Sequence, residues 1–191
     1  MKKGKTPGSN GFPVEFFRCF WLEIGPFLHR AITTTFEGEV GLPSHREGII
    51  TLIPKKGKSP HTYKGWRPIT LLNTDYKIVS TAISNRLKTV MTQLINPAQT
   101  AYTSGRYIGE NTRLVYDVIH WTKKNKKPGM ILTADFEAAF ESVAWNYLRI
   151  VIDELNFGQN LKYMINHLYF NTEIHSRIII NGHLGKKKKS V

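Results

Sequence analysis

Between residues 13 and 31 the apolar positions recur at helical spacing, so that Phe17, Phe20, Trp21, Ile24, Leu28 and Ala31 fall on one face. Pro13 suits the opening of such a helix, because its missing N–H has no partner in the first turn. Gly25-Pro26 interrupts the face and predicts two helices or one kinked helix. EGEVGLP, residues 37–43, closes the segment as a loop. The pattern then changes. GIITLIPKKGK, residues 48–58, is a β-branched run ending at Pro54 and followed by a basic turn, which reads as a strand feeding a loop. After GWRPITLLN, the positions Leu72, Tyr76, Val79, Ile83, Val90 and Leu94 mark a long helix, with Asn73 or Thr74 as its cap. Residues 95–111 read as loop or irregular strand. Leu114, Val115, Val118 and Ile119 belong to a further helix that stops in KKNKKPG.

Residues 130–135 form a short apolar run that predicts a strand, and two helices follow, split at Phe157-Gly158. EIHSRIIINGH is a strand running into an Asn-Gly turn. No internal repeat is visible. Scattered strands among long helices, without regular βαβ alternation, argue for an α+β fold.

Composition narrows the function classes. The 191 residues are 41% hydrophobic, enough for one globular domain or one and a half small ones. Lys and Arg number 27 against 14 for Asp and Glu, a net charge of +13, which points to a polyanion: nucleic acid first, an anionic membrane surface second. Lysines cluster at 2–5, 55–58, 123–127 and 186–189, with no matching acidic run; one such cluster is a solvated loop, whereas four suggest a shared basic surface. No amphipathic helix with a basic face accompanies them, which sets the membrane surface last. Cys19 is the only cysteine, so a disulfide framework is excluded and a buried structural thiol is expected. The seven histidines lack metal-ligand spacing. No run is long enough to span a bilayer and residues 1–11 lack a signal-peptide core; the expectation is a soluble, intracellular protein of nucleus or cytoplasm with a flexible basic lead-in.

One stretch raises a chemical question. LTADFEAAFESV, residues 132–143, puts Asp135 at the end of an apolar run, with Glu137 and Glu141 just beyond. A carboxylate in that place holds a metal or caps the next turn. Its company bears on the choice. IITLIPKKGK, WRPITLLNTDYKIVSTAISNRL, QTAYTSGRYIGEN and LTADFEAAFESVAW stand in the order and approximate spacing of a non-LTR (LINE-type) retrotransposon reverse transcriptase. GSNGFPVEFFRCFW resembles that family's segment before the fingers, and RIIINGH its hairpin strand after the first catalytic motif. The resemblance runs from about Gly8 to Gly185.

The resemblance implies a partial right-hand polymerase, mostly helical with a small antiparallel sheet. Residues 12–47 would precede the fingers, 48–129 would be fingers, 130–185 the front of the palm and 186–191 a basic tail. It implies Asp135 as first-motif metal ligand for Mg²⁺, with the backbone carbonyl of Phe136 beside it, and Phe140 as a steric gate against the ribose 2′-hydroxyl. Arg67 would reach the incoming deoxynucleotide triphosphate, where a planar guanidinium suits bidentate phosphate contact. Lys55, Lys56 and Lys58 would offer further charge, and Gln99, Gly105, Arg106 and Asn111 would help place template and nucleotide. The implied partners are an RNA template and a DNA primer, with no membrane.

Departures accompany the match. Glu141 stands where the family has Asp, Ala138 where many members have Lys, Ala101-Tyr102 where Gly-Phe is usual, and Asn10 where Asp is common. Glu137 is expected to face solvent. The family's Arg-x-Gly-x-x-Gln-Gly block and its Asp-Asp hairpin do not occur in these 191 residues, where KKKKSV follows INGHLG. The C-terminal palm and thumb half is then missing, and the chain alone is expected to be inactive because a two-metal site needs carboxylates from adjacent strand ends. The second reading is a non-catalytic basic nucleic-acid-binding remnant.

Overall fold

The computed structural model describes residues 1–37, 42–136, 140, 142–170 and 173–189. The chain divides into two compact units, one formed by residues 1–82 with 158–191 and the other by 83–157. These cuts fall inside a helix and just before another. Among the described residues all the strands belong to the first unit.

In the first unit, α1 (Val14–Cys19) and α2 (Trp21–Phe36) follow each other with a break at Phe20. Two helices were expected, but the break precedes Gly25-Pro26, and Pro26 lies inside α2. Pro13 sits one residue before the helix, in extended conformation. Val14, Phe17 and Leu28 are buried, whereas Phe20 and Trp21 of the predicted face are about half exposed. Cys19 is exposed, against the expectation of a buried thiol, because it points away from the Val14–Phe17 side of its short helix. α2 packs on α6 (Gln159–Tyr169), which buries Ile165 and Leu168. Residues 38–41 of the predicted EGEVGLP loop lie outside the described residues.

β1 (Glu47–Pro54) and β2 (Trp66–Leu72) form an antiparallel pair, and β2 escaped the sequence reading. Pro68 weakens its strand signature, and a proline is tolerated here because β2 lies at the sheet edge. β3 (His175–Ile180) lies parallel to β1, then turns at Asn181-Gly182 into β4 (His183–Leu184). Both turn residues have positive φ, 50° and 80°, the requirement of a two-residue hairpin that Asn-Gly meets with least strain. β5 (Lys188–Lys189) pairs with the start of β3. The sheet order is β2-β1-β3-β4. The expectation of a small antiparallel sheet is thereby corrected: β1 and β3, distant in sequence, are parallel neighbours, and a parallel pair requires a long crossover.

Asn73, fully buried, ties this unit together. Its Oδ1 accepts from the backbone N–H of Asn10 (3.1 Å) and the Ser9 hydroxyl (3.4 Å), and its Nδ2 donates to the carbonyl of Ser44 (2.7 Å) and to Ser9 Oγ (3.2 Å). Its own carbonyl accepts the first bond of α3 (Thr74–Leu94). Asn73 thus stands at the cap position while its side chain bonds elsewhere. Beside it, Thr74 Oγ1 donates to the carbonyl of Phe12 (2.7 Å). The lead-in is accordingly fastened at residues 8–12. Gly8 is part of the fit, since a Cβ there would overlap Asn73 Oδ1 and its backbone nitrogen.

α3 buries Val79 and Ile83, while Val90 and Leu94 near its end are exposed. The second unit also contains α4 (Gly109–Lys124) and α5 (Trp145–Glu154). No residue of α4 is buried, and Leu114, Val115 and Val118 of its predicted face are open. Residues 130–136 form no strand. Met130, Leu132 and Phe136 are largely exposed, and among the described residues every ladder is made within the first unit. Without a neighbouring edge among the described residues, a run with strand composition has no partner for its backbone groups and forms no ladder.

Next to the Asn73 node, His45 stacks edge-on against Tyr76 (ring centroids 5.5 Å apart) and places Nε2 3.9 Å from Asp75 Oδ2. Burial depresses its pKa below the ordinary 6.5, outweighing the pull of Asp75, so the contact is not an ion pair at neutral pH. His167, edge-on to Phe36, is lowered too, by burial and then by Arg46.

Asn73→Ala leaves the Ser44 carbonyl and the Asn10 amide without these bonds and should cost at least about 2 kcal/mol in a denaturant melt; Gly8→Ala should destabilise through overlap at the same place. Because the unfolded chain protonates His45 and His167 near pH 6.5 while the folded chain resists, stability should be full above that pH. It should then decline as the pH falls toward the lowered folded values. Amide exchange in β1 and β3 between pH 8 and 5 reads this directly.

Candidate active site

The β1–β2 hairpin assembles the basic residues singled out in the sequence. Arg67, second residue of β2, lies opposite Ile53 of β1 and is exposed. The connection that carries Lys55, Lys56 and Lys58 is closed by bonds from Lys55 N–H to the Gly65 carbonyl (2.7 Å) and from Lys58 N–H to the Lys55 carbonyl (3.2 Å). Trp66 Nε1 donates to the carbonyl of Pro60 (2.9 Å) and pins the far side of the loop. Four cations therefore share one end of the sheet. Lys55 is half-buried, and Lys56 and Lys58 are open to solvent.

In the second unit, Arg106 organises the segment 92–106. Its Nη1 donates to the carbonyls of Asn96 (2.6 Å) and Gln99 (2.7 Å), and its Nη2 to those of Thr92 and Ile95 (2.9 Å each). Carbonyls at the end of α3 have no intrahelical partner, and a cation there also meets the negative end of the helix dipole. Asn111 Nδ2 donates to the carbonyl of Ala98 (3.0 Å), and Gly105 turns the chain at φ 78°. The side chain of Gln99 is exposed; its carbonyl is the part held. Tyr102, one of the two departures at this block, has φ 58° and is fully exposed. Arg106 acts on the shape of the segment and not through a free guanidinium.

Asp135 is exposed, and among the described residues no hydrogen bond or ion pair engages its carboxylate. Phe136 and Phe140 are 80% and 85% exposed, so Phe140 is not a core side chain. Glu137, Ala138 and Glu141 lie outside the described residues. A hard cation such as Mg²⁺ takes one or two protein carboxylates besides water and substrate phosphates, and an open, unpaired Asp135 fits one of those places. Among the described residues no three ligating side chains converge.

Two comparisons bear on this arrangement. Residues 53–190 match the family described as reverse transcriptase (RNA-dependent DNA polymerase). The chain belongs to the reverse transcriptase family. It is also similar to the Transposon TX1 uncharacterized 149 kDa protein of Xenopus laevis, 38% identical over 174 residues. That alignment covers 91% of this chain and 13% of the relative, so the chain spans about an eighth of the curated relative it matches. The recognition of a non-LTR reverse transcriptase from the motif order holds. Members of this family bind nucleic-acid template and nucleotides and use divalent metal ions. No helix among the described residues is long and apolar enough to cross a membrane.

Arg106→Ala should open the 95–108 segment, seen as faster limited proteolysis there. Arg106→Lys should rescue little, because an ammonium cannot reach four carbonyls spread over two terminal nitrogens.

Proposed function

We propose that this stretch is the fingers and front palm of a non-LTR retrotransposon reverse transcriptase, which extends a DNA primer on an RNA template. The observation that carries the reading is the group of exposed Arg67, Lys56 and Lys58 with half-buried Lys55 at one end of the β1–β2 hairpin. Its chemistry suits a triphosphate: the guanidinium gives directional contacts to two oxygens, and the lysines add charge of variable position. Asp135, open and unpaired, serves as a metal ligand, with the Phe136 carbonyl beside it. Bound Mg²⁺ would supply charge neutralisation at the reacting phosphate and activation of the primer hydroxyl. Phe140, held out to solvent, is available to exclude a ribose 2′-hydroxyl. Gln99, Gly105 and Asn111, on the segment that Arg106 shapes, position template and nucleotide.

A second reading, non-catalytic nucleic-acid binding, is favoured by the lack of a three-ligand cluster among the described residues together with the net charge of +13. Primer extension separates the two. The 191 residues alone should bind RNA and extend nothing. Within a longer polypeptide that carries an Asp-Asp hairpin, extension should appear with Mg²⁺ and fall at least about 10²-fold in Asp135→Asn. Extension by that polypeptide unaffected by Asp135→Asn would remove Asp135 from the chemistry.

A further inference from the structure

The sheet has a second basic feature, away from the hairpin loop. Register places Glu47, Ile49 and Ile53 of β1, His175 and Arg177 of β3, and Arg67 of β2 on one face. The hairpin after β3 adds lysines to it. Ile179 and Ile180 pair with Leu184 and His183, but His175 and Ser176 pair with Lys189 and Lys188. The second strand therefore carries one extra residue between these pairs, a β-bulge, and a one-residue slip exchanges the faces of everything beyond it. The slip sends Lys187 and Lys189, not Lys186 and Lys188, to the face of Glu47 and His175. Lys187 Nζ accordingly meets Glu47 Oε1 at 2.8 Å, Lys189 pairs with Glu173, and Ser9 Oγ donates to Glu47 Oε2 (3.3 Å).

These residues line a cavity of about 230 Å³ bounded by Ser9, Glu47, His175, Arg177, Leu184 and Lys187. Among the described residues Arg177 makes no hydrogen bond or salt bridge; its charge reaches Glu47 only at longer range. An open guanidinium over a polar cavity, with an ammonium at its rim, is a phosphate-sized arrangement. Arg177 and Arg67 are four residues apart along the strands and two strands apart across the sheet, so their Cα atoms are separated by about 13 Å in one direction and about 10 Å in the other. That span suits a polynucleotide backbone lying over the sheet and exceeds a single triphosphate. The lone carboxylate in the cavity, Glu47, opposes an anion and holds Lys187 back from one.

We propose that this cavity binds a backbone phosphate of a single-stranded nucleic-acid segment crossing the sheet face, with Arg177 as the contact and the Glu47–Lys187 pair as its brake. The proposal rests on the reverse transcriptase reading but is tested by binding alone, so loss of catalysis leaves it standing. The 191-residue chain, Arg177→Ala, Arg177→Lys and Glu47→Gln would be titrated with a single-stranded oligoribonucleotide over a range of salt, and separately with a deoxynucleotide triphosphate. Thermal melts of each variant would check the fold. Arg177→Ala should weaken oligonucleotide binding several-fold and flatten the salt dependence of log K by about 0.7, the loss of one phosphate contact. Arg177→Lys should keep the slope with weaker binding, and Glu47→Gln should tighten binding as Lys187 is released. Triphosphate binding should be unchanged in all of them. Unaltered oligonucleotide affinity and slope in folded Arg177→Ala would overturn the proposal, and so would a loss confined to the triphosphate or weaker binding by Glu47→Gln.

Discussion

The first unit depends on one buried amide. Asn73 receives the lead-in through Asn10 and Ser9, holds the segment before β1 through the Ser44 carbonyl, and starts α3 with its own carbonyl. A buried polar group costs free energy unless all of its capacity is matched, so the three segments must arrive together for Asn73 to be buried at all. The register of β2 follows, because Asn73 is the residue after its last position, and with that register Arg67 is delivered to the far end of the hairpin. Gly8 belongs to the same constraint, since only a residue without a side chain lets the lead-in approach so closely.

Charge in this protein falls into two kinds. Arg106 uses both terminal nitrogens on backbone carbonyls and makes a segment rigid. Arg67, Arg177, Lys56 and Lys58 face solvent on a sheet with little cover. Sequence composition treats these alike; the difference lies in whether orphan carbonyls of a helix end are within reach. The same distinction separates Lys187 and Lys189, which are paired across the sheet, from the lysines of the β1–β2 loop.

Much of the architecture was legible in the pattern of residues. The α+β class, β1 with its basic turn, α3, α4, the α5 and α6 split, and the Asn-Gly hairpin all follow from periodicity and turn chemistry. The motif order pointed to the family through residues that local rules do not explain. Where reading failed, tertiary partners had decided. β2 was hidden by Pro68, which only an edge position accommodates. Residues 130–135 have strand composition but no ladder among the described residues, and Asp135 therefore does not end a strand. Cys19 is open because α1 is short and buries only one side.

The sequence by itself determined the chemistry available: a +13 chain, the hairpin turn, the ordered motifs and a carboxylate, Asp135, at the close of an apolar run. Tertiary structure alone decided which groups share a face. The parallel alignment of β1 with β3 joins residues more than a hundred positions apart, and the bulge after β4 chooses which lysines meet Glu47. Neither is written in any local stretch, because strand order is set by which edges meet, and a single inserted residue reverses the facing of the side chains that follow.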